Sequence, residues 1–139
     1  MRRAGPVLLV ALVAASVVTA AAVLHARSPK LALEVIRFDR EISPGCGCRD
    51  RAAHIRFFVR ESDTRATVEI VGPDLRPVRT LATGPLVAHQ PVSFTWNGRT
   101  DAGTLADPRD RYRLRVLLPD RDRDMVFTRR ISLVETGRS

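Results

Sequence analysis

AHIRFFV, residues 53–59, alternates apolar and polar side chains with a period of two. Successive side chains of a strand point to opposite faces, so Ala53, Ile55, Phe57 and Val59 fall on one face and His54, Arg56 and Phe58 on the other. The same period runs through LALEVIRF, where Leu31, Leu33 and Val35 share a face, and through ATVEIV and PVRTL, with Val68, Ile70, Val78 and Leu81. VSFTW groups Val92, Phe94 and Trp96, YRLRVLL groups Tyr112, Leu114, Val116 and Leu118, and MVFTRRISL closes the series. These are seven strands, separated by GPDLRP, TGPLVAHQP, NGRTDAGTLADPRD and PDRDRD, all rich in turn residues. Half-buried strands of this kind cover both inner faces of two packed sheets, so an all-β, antiparallel, Ig-like (fibronectin III-like) β-sandwich is expected, with no useful helix beyond the N-terminus.

The N-terminus reads differently. Residues 4–24, AGPVLLVALVAASVVTAAAVL, carry no charge, and as a helix they would reach about 30 Å, one hydrocarbon thickness. Arg2 and Arg3 precede this run and HARSPK follows it, which favours an N-in, C-out orientation. The run exceeds the roughly 7–15 apolar residues of a signal-peptide core. An uncleaved transmembrane signal anchor is therefore expected over residues 4–24, behind a cytoplasmic tail of residues 1–3. Residues 25–30 would be a linker, 31–135 the extracytoplasmic sandwich and 136–139 a short tail. Small residues such as Ala20, Ala22 and Ala26 leave cleavage and secretion as the alternative.

About 110 residues then remain for one domain with one core. The formal charge of the whole chain is +8. Four basic residues, Arg2, Arg3, Arg27 and Lys30, flank the apolar run, so the folded part carries a surplus of only 4, its 19 arginines standing against all 15 acids. A basic chain with an export segment, few aromatics and interspersed acids is not expected to bind nucleic acid.

The longest stretch with a recognisable pattern is VRTLATGPLVAHQPVSFTWNGRTDAGTLADPRDRYRLRVLL, residues 78–118. This segment resembles the FlgD-type Ig-like domain, the sandwich module of the flagellar hook-capping protein and of many bacterial envelope and secreted proteins. The resemblance lies in a VRTL strand, a W-x-G in which Trp96 packs the core and Gly98 turns the chain, a second glycine at Gly103, and the strand starting at Tyr112. ISPGCGCRDRAAHIRFFV, from Ile42, looks like the opening of related domains. It implies a core around Trp96, Phe94, Tyr112, Phe57, Ile55, Leu114 and Val116. Relatives carry a glycine before the tyrosine strand. Here DPRDRY stands instead, so Asp107 and Pro108 must make that turn. The acidic oxygens of the relatives' opening loop are replaced by Gly45, Cys46, Gly47 and Cys48, so calcium is not carried over. The resemblance implies a module and no particular task.

Outside the cytoplasm, Cys46 and Cys48 are expected to oxidise to a local disulfide, with Gly45 and Gly47 supplying the freedom that a small ring requires. Three alternatives stay open on the sequence. They are thiol exchange at a strained bridge, a zinc or copper site using Cys46, Cys48 and His54, and intermolecular pairing or free thiols. Ser43, Ser62, Ser93 and Ser132 lack nucleophile surroundings, and the histidines show no spacing to a carboxylate that suggests a triad. PDRDRD reads as a solvated hairpin, and Asp101 and Asp107 lack a third carboxylate for a cation. Phe58, on the face opposite Phe57, is an outward apolar ring of the kind that can mark a contact surface.

The expectation is a non-enzymatic, cofactor-free envelope protein, held by one membrane helix, whose Ig-like module plays a structural role or binds a protein or wall polymer. The alternatives are a thiol-redox or metal-handling protein working through the Cys46/Cys48 loop, and an accessory domain of a secretion or motility apparatus.

Overall fold

The computed structural model describes residues 33–135. The expected anchor at 4–24, the linker at 25–30 and the tail at 136–139 lie outside the described residues. In chain order the strands are β1 (Leu33–Phe38), β2 (Glu41–Ile42), β3 (Ala53–Val59), β4 (Asp63–Val71), β5 (Pro77–Leu86), β6 (Val92–Trp96), β7 (Arg111–Leu118), β8 (Arg123–Val126) and β9 (Ile131–Leu133). Short 3-10 turns occupy Arg49–Arg51 and Pro119–Arg121. Among the described residues there is no α-helix, and no helix long and apolar enough to cross a membrane.

The described residues are all-β and form two sheets. The smaller has the order β1-β3-β6, entirely antiparallel. The larger has the order β2-β9-β7-β4-β5, with β8 folded back on β7. Alternation buries Ala53, Ile55, Phe57 and Val59 of β3, all at most 2% exposed, in one apolar cluster with Tyr112, Leu114, Val116 and Leu118 of β7, likewise buried. Val68 and Ile70 of β4, Ile131 and Leu133 of β9 and Trp96 of β6 join the same apolar cluster. Burying each such large side chain contributes roughly 1.5–3 kcal/mol, and this shared interior holds the two layers face to face.

The structure has nine strands where periodicity alone suggests seven, and each difference has a local cause. MVFTRRISL is two strands, because β8 pairs with the second half of β7 and β9 with the first, while Thr128, Arg129 and Arg130 loop out into solvent. β2 was not anticipated. After β1 the chain crosses to the larger sheet, where Glu41 and Ile42 lie parallel to Ser132 and Leu133, so the pairing is not wholly antiparallel. TGPLVAHQP is not all turn, since β5 continues through Gly84 and Pro85 to Leu86. That strand is the sheet's edge, where proline loses no ladder bond, and Gly84 takes a φ of 135° at an irregular register. Finally, β1 carries a bulge between Val35 and Arg37. The extra residue leaves Ile36 exposed and turns Phe38 inward, which a strict two-residue count places on the wrong side.

Candidate functional site

The loop from Ser43 to Ala52 joins β2 to β3. Its first turn is closed by the Cys46 amide donating to the Ser43 carbonyl at 3.0 Å, with Pro44 in the second position. Its two ends are tied by the Ser43 amide donating to the Asp50 carbonyl at 2.7 Å. Between these bonds Cys46 and Cys48 are joined as a disulfide, Cα to Cα 5.2 Å. The Cys48 amide points at the Cys46 sulfur, and the 3-10 turn Arg49–Arg51 follows directly. The adjacent glycines play a different part from the one expected of them. Neither Gly45 nor Gly47 takes a positive φ, and a Cβ on either would meet nothing within 4 Å. The ring closes without conformations reserved for glycine.

A cleft of about 760 Å³ opens beside this loop. One wall comes from the loop itself, Gly47 to Ala52, and the other from the end of β1 with Arg37 and Asp39. His54 of β3 and its cross-strand partner Thr95 of β6 complete the lining. Asp39 is the organising acid. It accepts from the His54 amide at 2.9 Å, stands 3.0 Å from His54 Nδ1, and accepts from Arg37 Nε at 3.2 Å and Nη2 at 3.3 Å. Burial alone would raise the Asp39 carboxyl, but the hydrogen bonds from the His54 amide, Arg37 and the His54 ring outweigh it and hold the group below its ordinary value.

Sequence reasoning found no carboxylate spaced for His54, yet the structure supplies one fifteen residues away. The antiparallel register that sets Phe38 against Ile55 brings the next pair, Asp39 and His54, together. That pairing was the signal available, because a β1–β3 match across the intervening loop fixes it. Among the described residues no serine or cysteine is hydrogen-bonded to His54, and the Asp39 bonds orient its ring. Among the described residues no group of three or more His, Cys, Asp or Glu side chains is placed to hold a metal ion. Cys46, Cys48 and His54 therefore do not come together as a ligand set, the two sulfurs being bonded to each other.

The second region singled out by sequence is the Trp96–Tyr112 corner. The Trp96 ring is buried and meets Tyr112 edge-on, with centroids 5.1 Å apart. Its indole N–H donates to the Arg99 carbonyl at 2.9 Å. Gly98 takes φ 79°, and a Cβ there would lie 2.8 Å from Pro44 Cγ, so the cysteine loop begins by resting on this glycine. Gly103, at φ 83°, closes a turn by donating to the Thr100 carbonyl at 2.9 Å. The turn before the tyrosine strand is made by Asp107 and Pro108, as DPRDRY requires: the Asp110 amide donates to the Asp107 carbonyl, and the Arg109 amide to Asp107 Oδ1. The Tyr112 hydroxyl reaches back to the same Asp107 carbonyl at 2.7 Å. Burial first, and then the nearby charges of Asp110 and Asp107, push the phenol up to about 12.

Ile55, Phe57, Leu114 and Val116 are fully buried, whereas Phe94, on edge strand β6, is half-buried and stacks on Phe57 at 5.9 Å. Phe58 is not a bare outward ring, since His89 packs 6.0 Å from it. PDRDRD is more than a solvated hairpin. Buried Asp63 accepts from the Asp120 amide at 2.8 Å, while Asp120 accepts from the Thr64 hydroxyl, the Thr64 amide and Arg65. The Thr64 bonds and then Arg65 bring the Asp120 carboxyl down to about 2. On the outer face of the larger sheet, burial raises the Glu69 carboxyl against the pull of Arg115, 3.5 Å away.

No protein-family model, curated protein or solved structure matches the chain.

Proposed function

We propose that this chain is a non-enzymatic envelope protein: an extracytoplasmic, FlgD-type Ig-like module, held by a single membrane helix, that binds a protein or wall polymer through the cleft beside its cysteine loop. Two features of the fold support the Ig-like reading. The first strand is shared between the sheets, β1 in one and β2 alongside β9 in the other. A tyrosine at the start of β7 also bonds back to the main chain five residues upstream, the corner arrangement common in immunoglobulin-like sandwiches.

The observation that carries the functional reading is the Cys46–Cys48 bond, because a disulfide on an exposed loop is stable in an oxidising compartment and agrees with the uncharged run at residues 4–24. The bond clips a loop that forms one wall of a polar cleft, and polar loops held on a rigid sandwich are a common place for recognition.

Treating whole cells of the source bacterium with a membrane-impermeant protease, after opening any outer barrier, tests this reading. Digestion of the folded part, with the protein fractionating with membranes, is expected. Full protection of a soluble protein would end it. Crosslinking in cells then identifies the partner.

One observation favours a second reading, in which the loop is a thiol-exchange site: Cys48 is exposed at the cleft. Thiol titration with and without reductant, with metal analysis of protein purified without chelator, separates the two. A readily cycling disulfide would favour that rival, and one equivalent of bound metal would point to the metal-handling alternative through the reduced thiols. A place in a secretion or motility apparatus rests on family likeness alone.

A further inference from the structure

We infer that the cleft beside the Cys46–Cys48 loop grips the anionic groups, phosphate or carboxylate, of an envelope polymer through Arg49 and Arg51, with the disulfide as the clip that positions them. The identity of the polymer rests on the extracytoplasmic reading above, but the binding itself does not.

The charges of the cleft divide into two kinds. Asp39 is already satisfied by Arg37, the His54 ring and the His54 amide, so that cluster is a finished internal network. Arg49 and Arg51 are exposed, line the cleft, and enter none of the ion pairs found among the described residues. Guanidinium groups without a carboxylate partner are suited to a bidentate grip on phosphate or carboxylate. Their neighbours in the lining, Gly47, Ala52 and Thr95, are small and leave room for a chain to approach.

The lining holds no Trp, Tyr or Phe. A nucleic-acid strand or a neutral sugar would use an aromatic platform for stacking, and here none is offered. Recognition in this cleft is therefore a matter of charge. The volume, about 760 Å³, exceeds by far what one small ion fills, which favours a stretch of polymer over a lone phosphate.

Position is supplied by the loop. Cys48 directly precedes the turn that carries both arginines, and the Ser43 amide holds the Asp50 carbonyl between them. Opening the disulfide frees the segment before Arg49, while the sandwich beneath keeps its own core. Asp50 lies between the two arginines in sequence and also lines the cleft, so it repels an anionic ligand. The sign of its substitution therefore separates an anion site from a cation site.

The test uses the oxidised full chain in a neutral detergent. Fluorescent poly(glycerol phosphate) and polygalacturonate serve as probes, with neutral dextran as control. At least one charged polymer is expected to bind, dextran is not, and added salt weakens the complex. Replacing both arginines, Arg49→Ala with Arg51→Ala, is expected to weaken binding about tenfold, the scale of two partly exposed charge-assisted contacts. The control pair Arg129→Ala with Arg130→Ala removes equal charge from the exposed link between β8 and β9 and leaves binding unchanged. Asp50→Asn tightens it, and Cys46→Ser with Cys48→Ser loosens it. Which polymer binds tells phosphate from carboxylate as the source.

Four results would overturn the inference. They are equal losses from the two arginine pairs, full binding by the Arg49/Arg51 variant, weakening by Asp50→Asn, or no binding of either polymer by protein whose Trp96 fluorescence reports a folded core. The last would leave the compartment and membrane reading intact, because protease accessibility decides that separately.

Discussion

Two loops meet at Pro44 and Gly98, and they are built in opposite ways. The Asn97–Asp110 loop is held from inside. Trp96 and Tyr112 each send a side-chain donor to its backbone, Gly103 closes a turn on Thr100, and the Ala106 amide returns to the Gly98 carbonyl at 2.8 Å. The Ser43–Ala52 loop has only its disulfide and a few backbone bonds, and its charged side chains face outward. A loop whose polar groups are consumed internally is scaffold; one whose arginines are left unpaired has chemistry to offer a partner.

Substitution breaks or sharpens this contrast, beginning with Trp96→Ala. Removing a buried indole should cost about 3–5 kcal/mol, read as a fall in the midpoint of chemical denaturation. Next comes Gly98→Ala. Its left-handed backbone costs an ordinary residue about 1–2 kcal/mol, and the added Cβ presses on Pro44, so about 2–3 kcal/mol is expected in all. Gly47→Ala, in the other loop, should change stability by less than about 0.5 kcal/mol, since its Cβ enters open space and its φ is ordinary. A Gly47→Ala loss as large as that of Gly98→Ala would erase the distinction between the loops.

Removing the clip with Cys46→Ser and Cys48→Ser closes no long loop in the unfolded chain, so a cost of about 1.5 kcal/mol or less is expected. A collapse of the whole fold would mean that the cysteine loop is scaffold after all. Tyr112→Phe is expected to cost about 1 kcal/mol near neutral pH, for one hydrogen bond. That variant carries a pH signature as well. The folded phenol titrates near 12 against 10 for the ordinary group, so its stabilising effect is complete below pH 10 and is lost as the pH rises through 12. Denaturation midpoints should fall across that window in the parent and more gently in Tyr112→Phe. Tyr112 is the only tyrosine, so phenolate absorbance follows it directly. Asp120 acts at the acid end with the opposite sign: its carboxyl is lowered to about 2, so its contribution is present above about pH 4 and fades as the pH falls through 2. Asp120→Asn should flatten that acid limb.

Much of the fold was legible because each inward face is written locally. AHIRFFV and YRLRVLL keep a period of two despite Phe58 and Leu117, and their buried residues are those that the period selects. Reading failed where register slips. The bulge at Ile36 inverts the phase of β1, the Arg129–Arg130 excursion divides one apparent strand into two, and β2 is too short to carry a period. Each is decided by a partner strand distant in sequence. The cleft was half legible: the cysteine pair stands out in the chain, whereas Asp39 acquires its role only when β1 and β3 align. A need for glycine was misplaced only in the cysteine loop. Gly45 and Gly47 flank an evident feature but adopt ordinary backbone, while Gly98 is constrained by Pro44, which only the folded chain brings near.

The most direct test is alkylation of the protein taken straight from its own cells into acid, with and without prior reduction. An oxidised clip on an extracytoplasmic domain predicts that neither Cys46 nor Cys48 is labelled before reduction and that both are labelled after it. Full labelling of both thiols without reductant would contradict it.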